Sequence, residues 1–211
     1  MGVLPDEEIK IMTEEYGLTI KDAMSLISLN EGGRVEYFRN VVDEVLSMDG
    51  NQDQKHVGRL VGNWVLHEMG GLTHVDADEE NPLRMTAEGD CVIDYKNLAS
   101  LIHYLDTNKI TGKSAKRVLA KLFEQGLSGM ENTTKEVIEE AGLWFHPLSN
   151  EQYEELARSV LDMKVVEQIL AGKDGKINFL VGQMMRKDGD GKVDPQVATA
   201  VLRRLIEEHR K

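Results

Sequence analysis

The residues with the clearest capacity to bind a ligand lie between Ile177 and Pro195, near the end of the chain. Phe179, Gly182 and Arg186 are spaced so that a helix would place them on one face, with bare backbone between an aromatic ring and a cation. The opposite face of that helix is an apolar stripe of Ile177, Leu180, Val181 and Met184. The exposed face carries no nucleophile and no acid–base pair, so the pattern indicates a docking surface rather than a catalytic centre.

Motifs for phosphate and metal binding are incomplete elsewhere in the chain. Residues 112–114 (Gly-Lys-Ser) match the end of a P-loop, but Thr107 stands where that motif needs its first glycine. The calcium-loop-like stretch that begins at 49–53 lacks both the central glycine and the final glutamate. The six histidines include no i, i+4 pair, and none lies at zinc spacing from Cys91. We therefore predict neither a metal site nor a catalytic site.

The elements that position these residues are predicted to be helices throughout. Nearly every periodic segment repeats at 3.6 residues and none is convincing as a strand, so the predicted fold class is all-α. Pro147 disfavours helix at the residue before it, and Ser149 with Gln152 forms a capping box, which together predict a domain boundary. The prediction is an acidic bundle of about seven helices over 1–147 and a small three-helix domain over 148–211.

Three local expectations follow from the same patterns. The stretch 73–90 is acidic and aperiodic, which predicts a long exposed loop. The helix that begins at Ser149 is predicted to continue through an extra turn around 165–170. The second helix of the chain is predicted to bury Ile20, Ala23, Met24 and Ile27.

Charge is distributed unevenly along the chain. The net charge is −12, which argues against generic nucleic-acid binding. Residues 1–147 carry 14 Lys and Arg against 26 Asp and Glu, whereas residues 148–211 carry 11 of each. A polyanion would therefore prefer the C-terminal part. The predicted sixth helix carries a basic stripe, most simply interpreted as a solvated face, of Lys113, Arg117 and Lys121.

An ordered set of segments covers almost the whole chain and resembles a known family. The segments are LPDEEIKIMTEEYGLTIKDAMSLI, VEYFRNVV, GNWVLHEMGGL, LIHYLDTNKITGKSAKRVLAKLFEQG, VIEEAGLW and FLVGQMMRKDGDGKVDP. They resemble the C-terminal tail of the B subunit of the tRNA-dependent amidotransferase, a helical region followed by a YqeY-like domain. The expanded loop at 73–90 and the Trp-Val-Leu-His series at 64–67 look more like a fungal or other organellar member than a bacterial one.

The resemblance implies a function for the parent enzyme and a narrower one for this chain. The parent is a carbon–nitrogen ligase that converts glutamyl-tRNA(Gln) to glutaminyl-tRNA(Gln), or aspartyl-tRNA to asparaginyl-tRNA, with glutamine as amide donor. The family's catalytic cradle, which uses ATP and magnesium, has no counterpart here, so no cofactor is expected in this chain. The implied partners are glutamate-charged tRNA(Gln), an amidase subunit and the other subunits. The implied compartment is the mitochondrial matrix, with the bacterial cytoplasm as the alternative.

A tRNA arm needs cations that neutralise phosphates on a helical scaffold. Charge-neutral composition would otherwise favour ordinary solubilising cations at these positions, and the resemblance shifts the prediction toward tRNA. The candidate tRNA-binding residues are Lys173, Lys176, Phe179, Gly182, Arg186, Lys187, Lys192 and Arg203.

Two other functions stay open. The acidic first part is suited to hold a partner subunit, which would make the chain a protein-interaction module. A stand-alone enzyme is the third hypothesis, although no local set of catalytic residues supports it. No apolar run approaches the length of about 20 residues that a membrane-spanning helix needs.

Overall fold

The computed structural model describes residues 5–48, 50, 52–73 and 81–209. Within these ranges the regular elements are helices and no strand occurs, which confirms the all-α prediction. Residues 49 and 51 of the calcium-loop-like stretch and residues 74–80 of the predicted loop lie outside the described residues. The chain divides into an N-terminal unit, Met1–Ile110 with Ser114–Trp144, and a C-terminal unit, Thr111–Lys113 with Phe145–Lys211.

The N-terminal unit contains helices of very different length, and one of them changes its hydrogen-bonding pattern part-way. A π-helical turn, Trp64–Glu68, joins α4 to α5, and the amide of Met69 donates to the carbonyl of Trp64 five residues back. The α-helices are α1 Pro5–Glu14, α2 Ile20–Ser28, α3 Gly33–Met48, α4 Gln54–Asn63, α5 Met69–Leu72, α6 Tyr95–Asp106, α7 Gly112–Leu127 and α8 Thr134–Glu140.

Helix α3 forms the centre of this unit, where it packs against α6. Tyr37 and Phe38 are fully buried on it. The Tyr37 hydroxyl donates to the carbonyl of Ile93 at 2.9 Å, so the polar end of this buried ring is satisfied. The ring of Phe38 meets Tyr16 edge-on, with centroids 5.2 Å apart. Burial on this scale anchors the whole unit, since a large aromatic side chain contributes several kcal/mol.

A buried arginine connects α3 to the π-helical turn. Arg34 is 6% exposed. Its Nη1 donates to the carbonyl of Val65 at 2.8 Å, and its Nε donates to the side-chain oxygen of Asn30 at 3.2 Å. A buried charge is tolerated only when hydrogen bonds replace its hydration, and these two acceptors supply that compensation.

The predicted burial of α2 is wrong for two of its four residues. Ala23 is buried as expected, but Ile20 and Met24 are 64% and 55% exposed. The residue that reaches the core instead is Leu26. Helical periodicity identifies an apolar face, but which part of that face meets the rest of the protein depends on how the neighbouring helices cross it.

Residues 81–90 form the predicted irregular loop, but the prediction that the loop is exposed is wrong for some of its residues. Leu83 and Met85 are buried in the core of the N-terminal unit. Asn81 closes the turn that contains Leu83, since its side chain donates to the carbonyl of Met85 and accepts from the amide of the same residue. A β-carbon at Gly33 would lie 1.9 Å from the carbonyl oxygen of Thr86, so this segment packs directly on the start of α3. These are contacts of the tertiary structure that local periodicity does not report.

The described part of the C-terminal unit has four α-helices over residues 150–208 where three were predicted, because the predicted extra turn is a helix of its own. Leu161 ends α9 in an extended conformation, and the Asp162 side chain then caps α10 by accepting from the amide of Lys164. The helices are α9 Asn150–Val160, α10 Met163–Leu170, α11 Ile177–Asp188 and α12 Pro195–Glu208, with a 3₁₀ turn at Asp174–Lys176.

The ends of these helices follow the predicted caps. Ser149 and Gln152 form the capping box of α9, and the side chain of Asp194 accepts from the amides of Gln196 and Val197 at the start of α12. Each such cap contributes about 1 kcal/mol. Helix α11 packs against α9 and α12. The predicted stripe of α11 is confirmed as core: Ile177, Leu180, Val181 and Met184.

Candidate nucleic-acid interface

The candidate tRNA-binding residues all lie in the C-terminal unit, on three kinds of local structure. Lys173 and Lys176 flank the 3₁₀ turn, Lys192 lies in the connector after α11, and Arg203 lies on α12. The remaining four are on α11 itself: Phe179, Gly182, Arg186 and Lys187.

One groove brings part of this set together. We call it the α11 groove, and its volume is about 440 Å³. Three of the predicted residues line it: Phe179, Arg186 and Lys187. The other lining residues are Ser159, Val160, Asp162 and Gln183. An aromatic ring and two cations therefore share one concave surface between α11 and the end of α9.

The groove faces outward because α11 has a single apolar stripe, which packs in the core. Its core-facing residues fix which side points outward, and Phe179 is left 51% exposed. Gly182 lies three residues on, and a β-carbon at this position would meet no atom within 4 Å. The packing of the chain therefore gives no reason for a glycine here, although glycine in a helix interior costs roughly 1 kcal/mol relative to alanine.

The candidate cations on α11 and at the 3₁₀ turn have no carboxylate partner within ion-pair distance in the described ranges. Within residues 81–209 and the other described ranges, Arg186, Lys173 and Lys176 form no ion pair. Lys187 donates to the backbone carbonyl of Ser159 at 3.0 Å, which holds its ammonium in place without neutralising the charge. Positive groups that are fixed but not paired are suited to bind phosphate.

Arg203 is on a different concave surface from Phe179. It lines a cleft that we call the α12 cleft, together with Ile169, Leu170, Gly172, Asp174, Arg204, Ile206 and Glu207. The neighbouring Arg204 forms an ion pair with Glu154, whereas Arg203 has no carboxylate within ion-pair distance among the described residues. Four of the predicted residues thus divide between two surfaces of the same unit. The other four line neither surface: Lys173, Lys176, Gly182 and Lys192.

Lys192 is the weakest of the candidates. Its ammonium lies 4.0 Å from a carboxylate oxygen of Asp190, and its backbone amide donates to Asp188 at 2.7 Å. Its charge is therefore partly neutralised within the connector, which lowers its value for binding phosphate.

The basic stripe of α7 is only partly paired. Lys113 belongs to the C-terminal unit, where its ammonium donates to the carbonyl of Gly189 at 2.5 Å and lies 3.6 Å from Asp190. Arg117 and Lys121 form no ion pair in the part of the chain that the structure describes. Lys113 is therefore engaged by Gly189 and Asp190, whereas Arg117 and Lys121 remain unpaired among the described residues.

Four lining residues of the α11 groove were not predicted: Ser159, Val160, Asp162 and Gln183. Gln183 follows Phe179 by four residues and therefore lies on the same helix face, so helical spacing alone could have found it. Ser159 comes from α9, and no local signal in the sequence connects it to α11.

Other chemically capable groups do not form a catalytic centre in the described ranges. No cluster of three or more His, Cys, Asp or Glu residues there is arranged to hold a metal ion. Burial raises the pKa of the Cys91 thiol to about 11, so it is not a thiolate at neutral pH. His56 contacts Asp106 at 2.9 Å without a nucleophile in the pair. Residues 112–114 open helix α7 instead of forming a glycine-rich phosphate loop.

Among the described helices, none combines the length and the apolar character that a membrane span requires.

The model of the GatB domain family matches residues 51–206, which is most of the chain. The chain belongs to the GatB domain family. This finding confirms the resemblance to the B subunit of the amidotransferase.

Curated relatives match this chain over part of their own length. A protein of Verticillium alfalfae is 39% identical over 220 residues, which cover 99% of this chain and 35% of the relative. Proteins of Emericella nidulans and Neurospora crassa are 40% and 38% identical, covering 96% and 99% of this chain and 33% and 35% of their own length. All three are named as the B subunit of mitochondrial glutamyl-tRNA(Gln) amidotransferase. The chain thus spans about a third of the length of these relatives.

Proposed function

We propose that this chain is the tRNA-binding and positioning arm of the B subunit of a mitochondrial glutamyl-tRNA(Gln) amidotransferase. In this role it holds glutamate-charged tRNA(Gln) in the matrix while the rest of the enzyme forms glutaminyl-tRNA(Gln). The chemistry, with ATP, magnesium and the amidase subunit, belongs to other parts of the complex. The names of the relatives support the choice of tRNA, and the match to only about a third of their length supports a role narrower than the whole reaction.

The observation that carries the proposal is the set of unpaired cations in the C-terminal unit. Arg186, Lys187 and Arg203 face solvent without a carboxylate partner in the described ranges, and Lys173 and Lys176 add two more charges near the 3₁₀ turn. The net charge of the whole chain is −12, so these cations attract phosphate by local placement and not by a general field. Binding through the phosphate backbone is sensitive to salt, because each neutralised phosphate releases counterions.

Titration of the chain with tRNA(Gln) at two salt concentrations tests the proposal. About four phosphate contacts predict a slope of roughly −3 to −4 in a plot of log affinity against log salt. The double variant Lys187→Glu with Arg203→Glu should weaken binding at least tenfold and reduce the slope by about 2 in magnitude, since each lost phosphate contact removes about one unit.

A matched control keeps the net charge of that variant. Lys10 and Lys55 are exposed in the N-terminal unit and form no ion pair among the described residues. Lys10→Glu with Lys55→Glu should therefore leave the affinity and the slope nearly unchanged. Absence of any wild-type binding, or a signal that does not respond to salt, would contradict the proposal.

The second candidate function, a module that holds a partner subunit, is favoured by the exposed apolar face of α2. Ile20 and Met24 lie in solvent on one side of this helix, and large exposed aliphatic side chains are typical of protein interfaces. Ile20→Gln with Met24→Gln should prevent co-purification with the other subunits if this function is correct. The charge-reversal variant above should keep that assembly and lose tRNA binding if the arm is correct.

A further inference from the structure

Phe179 is an aromatic ring that the folded chain leaves half exposed in a groove. Its exposure is 51%, whereas the stripe on the other side of α11 is buried. No ring contact within the described residues involves Phe179, so its faces are not stacked on another aromatic side chain. Leaving such a ring in water gains the folded chain nothing, which makes the ring available to a ligand.

The groups around this ring differ along the groove. Val160 adds an apolar wall, and Gln183 adds an amide that both donates and accepts hydrogen bonds. Arg186 and Lys187 follow Phe179 by seven and eight residues, so they lie two helical turns beyond the ring. Gly182 leaves the backbone of α11 bare between them.

The geometry points to a single unstacked nucleotide as the occupant of the α11 groove, an inference that rests on the proposed tRNA-binding function. Its base stacks on the ring of Phe179, and its flanking phosphate binds Arg186 and Lys187. The amide of Gln183 contacts the edge of the base. The groove thus recognises a base that is already out of a helical stack, not the outside of a duplex.

Three features favour this occupant over others. A duplex presents phosphates and base edges but no free base face, so it would use the cations and not the ring. An acidic peptide would also pair with the cations and leave the ring without a partner. A nucleotide in a single-stranded segment uses both, since every base has a π-face and is joined to a phosphate.

Among the described residues, Asp162 is the one acidic residue in the lining of the groove, and its carboxylate caps α10 by accepting from the amide of Lys164. Phosphate binding in the groove therefore depends on Arg186 and Lys187, whose two positive charges exceed this single negative charge.

Binding of a single-stranded RNA of about eight nucleotides to the full chain tests the inference. The RNA carries one 2-aminopurine, whose fluorescence falls when the base stacks. A second strand of equal length and charge is abasic. The variants are Phe179→Leu, which keeps an apolar side chain without a ring, and Phe179→Tyr, which keeps the ring. The exposure of Phe179 makes both variants compatible with the fold, which circular dichroism and thermal unfolding verify.

The expected result is selective loss of the base-dependent part of binding. Phe179→Leu should weaken binding of the base-containing strand by about 5- to 100-fold, abolish the 2-aminopurine quench and leave the salt slope unchanged. It should leave binding of the abasic strand unchanged. Phe179→Tyr should restore both affinity and quench.

Equal affinity of the wild type and Phe179→Leu for the base-containing strand would overturn the inference and leave the proposed function intact, provided that tRNA binding stays salt-dependent. Competition by a polyglutamate peptide that weakens in Phe179→Leu would assign the groove to an acidic peptide and also overturn it. Absence of tRNA binding by the wild type would contradict the proposed function itself.

Discussion

The two units of this chain use similar residues for opposite purposes. In the N-terminal unit, two arginines on α3 have partners within the folded chain. Arg34 donates to the carbonyl of Val65 inside the core, and Arg39 forms ion pairs with Glu8 and Glu36. In the C-terminal unit Arg186 has no carboxylate partner among the described residues and lies beside an exposed ring. The difference shows that a residue type alone does not identify a binding surface, and that what distinguishes Arg186 is an unpaired charge in the same groove as an exposed ring.

The largest expected effect compares the two phenylalanines. Phe38 is fully buried in the N-terminal unit, so Phe38→Ala should lower the free energy of unfolding by about 3–5 kcal/mol. Phe179→Ala should lower it by less than about 1 kcal/mol, since half of that ring is already in water. Urea unfolding followed by circular dichroism measures both values. Similar losses for the two variants would mean that Phe179 is a core residue and not a docking residue.

Two helical glycines allow the same comparison between the units, with a smaller expected change in the free energy of unfolding. Gly33→Ala would place a β-carbon 1.9 Å from the carbonyl oxygen of Thr86, so it should destabilise the N-terminal unit by about 2–3 kcal/mol. Gly182→Ala meets open space and should stabilise α11 by about 0.5–1 kcal/mol, because alanine is the better helix former. Thermal unfolding of both variants checks the two signs. A stabilised Gly182→Ala that also binds tRNA less well would show that this glycine serves the ligand.

The pH dependence of stability tests whether the Cys91 thiol is buried in the N-terminal unit. Burial raises the pKa of its thiol to about 11, against about 8.5 for an unfolded thiol. The folded state therefore holds the proton more tightly, and this contribution is complete below about pH 8.5 and is lost as the pH rises through about 11. The free energy of unfolding should fall by about 2 kcal/mol more across this window in the wild type than in Cys91→Ala. Urea unfolding at pH 8 and pH 10.5 measures the difference, and parallel curves would show that the thiol is hydrated.

Local sequence predicted the features that depend on local physics. The apolar stripe of α11, the capping box at Ser149 and Gln152, and the cap at Asp194 are all present, because each is set by spacing within one or two helical turns. The resemblance to the amidotransferase family added the biological context that spacing could not provide. The same local reasoning placed Phe179 and Arg186 on one exposed face, where they line a common groove.

The wrong predictions about burial share one cause, which is contact between segments distant in sequence. Leu83 and Met85 lie in an acidic, aperiodic stretch, yet they are buried because the start of α3 packs against that stretch. Ile20 and Met24 fit the apolar stripe of α2, but the neighbouring helices cover a different part of that helix. For the same reason Ser159 could not be assigned to the α11 groove, and Arg203 could not be separated from it.

The π-helical turn at Trp64–Glu68 keeps one side of a continuous helical segment in the core across an extra residue. Val57 and Val61 are buried before the turn, and Met69 is buried after it. In a regular helix Met69 would lie about 120° around the axis from Val57, whereas a turn that absorbs one residue reduces this angle to about 20°. The insertion of one residue is therefore accommodated without a change in the buried face. The same turn contains Val65, whose carbonyl accepts from the buried guanidinium of Arg34.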